Sequence, residues 1–181
     1  MRVRAGTLKG RRLTSPAGRM TRPTADQVRV ACLDTLMPYL PRGAFLDLFA
    51  GAGAVGIEAL SRGAPSAVFV EEDVSAFGAL ADNVERLGIG DRARLVCGDA
   101  VEALGRDGQR YAVVFLDPPY GSPRAAATLA RLAAGDCLEP GAVVVMQHAT
   151  KSPPPPATGV LRLWKTRRFG ESALTFFRSD A

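Results

Sequence analysis

Residues 44–71 read AFLDLFAGAGAVGIEALSRGAPSAVFVE, and the fold turns on how this stretch is read. Ala44 to Ala50 is an apolar run of strand length, broken by one carboxylate, Asp47. Gly51, Gly53 and Gly56 follow, overlapping a run from Ala54 to Arg62 with helical spacing, and Ala67 to Glu71 is a second apolar strand. Strand, glycine turn, helix and strand form a βαβ unit, whose two buried strands lie parallel.

The same alternation continues toward the C-terminus. A helix is expected through Leu87, then a strand at 94–98, a short helix near 100–105 and a strand at 111–117. A helix near 124–134 and a strand at 142–146 complete five strands with crossovers. The end differs: VLRLWK (160–165) and SALTFFR (172–178) are separated by Gly170, with no room for a crossover helix, so they pair antiparallel. The expected architecture is α/β, a Rossmann-like sheet of seven strands, mostly parallel with an antiparallel C-terminal hairpin and helices on both faces.

The first 40 residues have another character. Residues 1–29 hold eight of the 23 Lys and Arg, against the single acid Asp26, a net of +7. Residues 30–181 hold 15 basic and 17 acidic residues, a net of −2. Gly6, Gly10, Pro16, Gly18 and Pro23 punctuate short apolar-alternating stretches, which suits a hairpin better than a solvated tail. From Thr24 the capping-box spacing to Gln27 and the recurrence of Val28, Ala31, Cys32, Thr35 and Leu36 predict a helix ending near Pro38. The chain therefore divides into a basic extension, 1–40, and a sheet domain, 41–181. A structured basic surface suits phosphate.

Several classes are excluded or disfavoured. No apolar run approaches the ~20 residues of a membrane span. The N-terminus, MRVRAGTLKGRR, lacks the apolar core of a secretory signal. Cys32, Cys97 and Cys137 are scattered among apolar neighbours, which suits a reducing cytosol and offers no metal spacing. His148 is the only histidine, so a His metal site is impossible. A cytoplasmic monomer without metal is expected.

Gly51-x-Gly53-x-x-Gly56 alone also matches a dinucleotide fingerprint. Asp47 tips the balance: a carboxylate four residues before the first glycine opposes a pyrophosphate, yet suits a cofactor bearing an ammonium and a sulfonium. S-adenosylmethionine is such a cofactor. Asp47 can alternatively bond the neighbouring loop. Phe49, Ala50, Gly51 and Gly53 supply backbone against the ligand, and Glu71, at the end of the second strand, can accept from ribose hydroxyls. Glu72 and Asp73 suit the start of the next helix. After the third strand, Asp99 is placed either to accept from an adenine amine, beside Ala100, or to cap the following helix.

The fourth strand runs into Asp117-Pro118-Pro119-Tyr120. Two prolines fix the backbone and remove two N–H donors, leaving carbonyls free to accept. A base amine is a poor nucleophile because its lone pair is delocalised into the ring. Accepting its hydrogens with the Asp117 carboxylate and the Pro118 carbonyl favours the pyramidal nitrogen of the transition state. Tyr120 offers a ring for an extruded base, worth about 1–3 kcal/mol.

Together DLFAGAGAVG and DPPY resemble the Class I amino-methyltransferases. The wider pattern, RVRAGTLKGRRL, then TRPT at 21–24, then LDLFAGAGAVGIEALSRGA and FLDPPY, resembles the bacterial small-subunit (16S) ribosomal RNA guanine-N2 methyltransferases over residues 2–120, and more loosely to the tail. That resemblance implies methyl transfer to a guanine N2 amine of rRNA, free or in the small subunit, with Lys9, Arg11, Arg12 and Arg22 on the RNA. Two positions depart from it: Ala52 stands where the family usually has Ser, and Gln147 where relatives commonly carry Glu. The competing readings are a DNA adenine-N6 methylase, for which 181 residues leave little room for target recognition, and a non-methylating Rossmann protein that binds nucleic acid or NAD.

Overall fold

The structure, a computed structural model, describes residues 1–16, 23–104, 108–119, 121–155 and 157–180. In chain order the elements are α1 (Pro23–Leu36), a 3-10 turn (Leu40–Arg42), β1 (Phe45–Leu48), α2 (Ala54–Ser61), β2 (Ala67–Glu71), α3 (Val74–Leu87) and β3 (Ala93–Cys97). Then come α4 (Ala100–Ala103), β4 (Tyr111–Leu116), α5 (Pro123–Leu132), β5 (Leu138–Ala149), β6 (Ala157–Thr158), β7 (Leu161–Phe169) and β8 (Ser172–Ser179). They form one sheet in the order β3-β2-β1-β4-β5-β8-β7-β6. The first five of these are parallel, and β8, β7 and β6 are antiparallel to their neighbours.

The seven expected strands are all present. The eighth, β6, has two residues that pair with Leu161 and Arg162, too few for any sequence pattern to reveal. β5 is longer than its apolar centre, 142–146. Leu138 pairs with Tyr111 ahead of a register shift, and Gln147 to Ala149 pair with β8. Pro140 and Gly141, residues rare inside strands, hid that beginning. α1 begins at Pro23, so Thr24 lies inside its first turn rather than before it.

Three of the parallel strands, β1, β2 and β4, are buried on both faces, which is why they read as unbroken apolar runs. Alternate residues serve opposite cores. Phe45, Phe69, Phe115 and Phe176 pack under α1, α2 and α3; Leu46, Val68, Leu116 and Phe177 pack with residues of α4 and α5.

The basic N-terminal segment belongs to the first of these cores through Val3 and Leu13. Its two limbs meet in a single antiparallel bridge, Arg2 with Arg12. It docks on the end of α2: the Thr7 N–H donates to the Ser61 carbonyl (2.8 Å) and the Ser61 hydroxyl to the Ala5 carbonyl (2.6 Å). A Cβ on Gly6 would fall 1.8 Å from that Ser61 oxygen, so only glycine fits. Beneath lies an ion network in which buried Arg29 donates to Glu58 (2.9 Å), and Glu58 also accepts from Arg62.

Candidate active site

A cavity of about 900 Å3 opens at the carboxyl ends of β1, β2, β4 and β5. Asp47, Phe49, Ala50, Gly51, Glu71, Asp117, Pro118, Pro119 and Gln147 line it. This is the edge where open α/β sheets bind ligands.

Asp47, near the end of β1, is almost wholly buried, and its Oδ2 accepts the Gly56 N–H at 2.8 Å. Burial holds its pKa well above the ordinary carboxylate value. The Gly56 N–H offsets part of that rise, and the nearby Asp117 and Glu71 charges add to it. Asp47 thus ties β1 to the first turn of α2, the loop-bonding alternative of the sequence, and it also lines the cavity.

The glycines divide by role. Gly51, at φ 57°, has open space where a Cβ would stand. Gly53 is off the cavity wall: a Cβ there would meet Leu80 Cδ1 at 2.4 Å, so its smallness serves helix packing. Gly56 is hemmed in by Phe69 (2.3 Å) and Asp47. Phe49 stands in the left-handed region at φ 63°, a strained conformation for a side-chain-bearing residue, found where function over-determines the backbone.

Glu71 braces the glycine loop and the start of α3 together. Its Oε2 accepts the Gly51 N–H (2.7 Å) and its Oε1 the Asp73 N–H (2.8 Å). Each carboxylate oxygen retains a lone pair for a ligand hydroxyl. Asp73 caps α3 by accepting from Ala76 N–H.

Asp99 and Ala100 lie off this wall. Asp99 caps α4, accepting from the Val101 and Glu102 N–H groups (2.8 and 3.1 Å), and Arg124 Nε stands 3.7 Å from its other oxygen. It borders a separate cavity of about 240 Å3 among Leu46, Leu48, Val68 and Val70, the core residues packed with α4 and α5.

Asp117 follows β4 directly, and its N–H reaches the Leu48 carbonyl (3.4 Å). Burial pushes its pKa up to about 7. Among the described residues nothing donates to the Pro118 carbonyl beside it. Pro118, Pro119 and Gln147 also border an adjoining cavity of about 270 Å3, which continues to Ser122, Met146 and His148. Tyr120 and Arg22 lie outside the described residues. Lys9, Arg11 and Arg12 are exposed on the N-terminal segment.

Two contributors, Arg29 and Asn83, escaped the sequence reading, and a third, Gln147, entered it only as a departure from the resemblance. Arg29 lines the cavity from α1 while paired to Glu58 and Asp26. Gln147 stands at the carboxyl end of β5, one position past the Leu116–Met146 pair and so beside Asp117. Asn83, fully buried in α3, donates to the Thr14 and Ala52 carbonyls (2.9 and 3.0 Å) and accepts from the Thr14 N–H (2.8 Å). It joins the basic segment to the glycine loop. The signal for it was present: a polar residue at a core position of an amphipathic helix, three past Leu80.

Five parallel strands with an antiparallel end, an acid-lined cavity at the carboxyl edge and an Asp-Pro-Pro turn beyond β4 define a methyltransferase of the Class I type. The family model described as Conserved hypothetical protein 95 matches residues 1–178. Ribosomal RNA small subunit methyltransferase D of Escherichia coli is 30% identical over 181 residues, covering 100% of this chain and 91% of that protein. YlbH of Bacillus subtilis is 34% identical, with 98% of each chain covered. The solved structure of yhhF from Escherichia coli superposes with a TM-score of 0.90 at 31% identity, covering 100% of this chain and 98% of that one. The chain belongs to the Conserved hypothetical protein 95 family, that of the small-subunit ribosomal RNA methyltransferases.

Proposed function

We propose that this chain transfers a methyl group from S-adenosylmethionine to the exocyclic N2 amine of a guanine in small-subunit (16S) ribosomal RNA, in the cytoplasm. The observation that carries the reading is the meeting of two cavities at Pro118, Pro119 and Gln147, with the Asp117 carboxylate beside them on the larger one and a Pro118 carbonyl to which nothing donates among the described residues. The names of the family's relatives support ribosomal RNA as the substrate.

The larger cavity suits the cofactor by charge. Among the described residues Asp47, Glu71, Glu72, Asp73 and Asp117 line it, against one arginine, Arg29, already paired with Glu58 and Asp26. Such a wall repels phosphate and attracts a cationic ligand. When bound, S-adenosylmethionine supplies an electrophilic methyl on its sulfonium. Asp47 and the loop from Phe49 to Gly53 hold the methionine end, Glu71 accepts from the ribose hydroxyls, and the adenine extends past this wall toward Asp99 and Ala100.

The smaller, mainly apolar cavity receives the extruded guanine, with Tyr120 stacked on it. Asp117 and Pro118 accept the two N2 hydrogens and orient the nitrogen lone pair toward the methyl, while Pro119 holds the turn. No strong base is needed: once methylated the nitrogen is cationic, and the adjacent Asp117, with its pKa near 7, takes the proton. Lys9, Arg11, Arg12 and Arg22 grip the RNA phosphates.

The test separates binding from chemistry. Asp117→Ala should lower turnover by at least 100-fold while S-adenosylhomocysteine binding, measured by calorimetry, stays within several-fold. Equal losses in both would remove Asp117 from the chemical role.

A further inference from the structure

β7 carries a bulge. Leu163 pairs with Phe177 and Lys165 with Phe176, so Trp164 is extra between them. Phe177 and Phe176 face opposite cores, and the bulge therefore turns Trp164 and Lys165 together to the side of Phe176, the side of α1. There Lys165 Nζ lies 4.1 Å from the Trp164 ring and 5.3 Å from Phe176, and Trp164 meets Phe176 edge-on.

The cluster extends beyond the strand. Arg178 of β8 stacks 4.2 Å from Trp164 and donates to the Tyr39 hydroxyl (2.6 Å). Arg42 lies over the Tyr39 ring at 5.6 Å, and Tyr39 meets Trp164 edge-on. Farther along β7, Arg167 lies 5.6 Å from the Phe169 ring and donates to the Ala31 carbonyl of α1. Among the described residues none of these four cations meets a carboxylate, whereas Arg29, Arg62, Arg124 and Arg131 all do. Unneutralised cations held on aromatic rings form a surface preorganised for an anionic polymer.

Edge protection explains only part of this. β6 covers just Leu161 and Arg162, so among the described residues the rest of β7 is a free sheet edge of the kind that bulges and charges shield. Arg42 and Arg178 stand off that edge. The strip also leads to the active site: Phe169 pairs with Ser172, which pairs with Ala149 at the carboxyl end of β5, two residues past Gln147.

We propose that Arg42, Lys165, Arg167 and Arg178, set around Trp164, form a second RNA-docking surface that holds phosphates of the substrate strand flanking the target. The proposal rests on the reading of ribosomal RNA as substrate. It is tested with the triple variant Arg42→Gln, Lys165→Gln, Arg167→Gln, which leaves Arg178, Trp164 and Tyr39 in place. Dissociation constants for protein-free small-subunit rRNA and for assembled subunits are measured between 50 and 200 mM salt. The variant should lose at least tenfold in affinity at low salt, and its log–log salt slope should fall by about 2–3 units on both substrates. S-adenosylhomocysteine binding should not change, the variant should still melt cooperatively and well above the assay temperature, and Lys165→Glu alone should reproduce the direction. A slope within half a unit of the parent's on both substrates would overturn the surface. So would a loss confined to assembled subunits, which would identify a ribosomal protein as the partner. Failure of the parent protein itself to bind rRNA would instead sink the functional reading and this surface with it.

Discussion

Three carboxylates, Asp47, Glu71 and Asp117, converge on the cavity, and two of them have raised pKa values that make stability depend on pH. A group whose folded pKa lies above its unfolded value stabilises the fold below the unfolded value, near 4, and that contribution is lost as pH rises through the folded value. For Asp117 the window therefore runs from about 4 to about 7. The ligand-free protein should melt lower at pH 8 than Asp117→Asn does, and the difference should vanish toward pH 4. A melting difference that does not change with pH would contradict the burial of this carboxylate. Asp47→Asn should act in the same direction, because its amide oxygen still accepts the Gly56 N–H without a buried charge. The same change should weaken binding of S-adenosylhomocysteine, read by calorimetry. The stability given up by burying these charges is then the counterpart of holding a cation.

Elements were legible in proportion to how completely the sheet buries them. β1, β2 and β4 are wholly buried, so their boundaries could be read from apolar runs within two residues. The edge elements were not so marked. β6 has two residues, the start of β5 contains Pro140 and Gly141, and the bulge at Trp164 leaves no trace in an alternating pattern. The site follows the same division. Asp47, Glu71 and Asp117 sit at strand ends, where the boundary itself points to them. At Gly53 the motif reveals the glycine but not a second demand on it, the room it leaves for Leu80. Asn83 and Arg29 also join segments more than 25 residues apart in sequence; a polar residue at a core position of α3 marks Asn83, but no local spacing names these distant partners. Asn83→Ala should cost about 1–3 kcal/mol, since it leaves the Thr14 and Ala52 groups unpaired. It should also weaken binding of both RNA and S-adenosylhomocysteine, because it severs the basic segment from the glycine loop. Retention of both affinities in a variant destabilised by that amount would mean that Asn83 is structural only.

At the scale of the molecule the charges are segregated: an acid-lined cavity at the carboxyl edge of the sheet, and a basic segment packed beside α2 and α3. That segregation fits a protein that binds a cationic cofactor within reach of a polyanion. Arg11→Gln with Arg12→Gln should lower the salt slope of rRNA binding by about 2 units without altering cofactor affinity, and an unchanged slope would move the RNA surface away from the N-terminal segment. No helix among the described residues is long and apolar enough to cross a membrane. The central claim is tested most directly by supplying S-adenosylmethionine with a labelled methyl group to small ribosomal subunits that lack native methylation, then digesting the RNA to nucleosides. Label recovered as N2-methylguanosine is the predicted result. Label absent from that nucleoside, with the same preparation methylating duplex DNA or protein, would contradict the substrate while leaving the cofactor site intact.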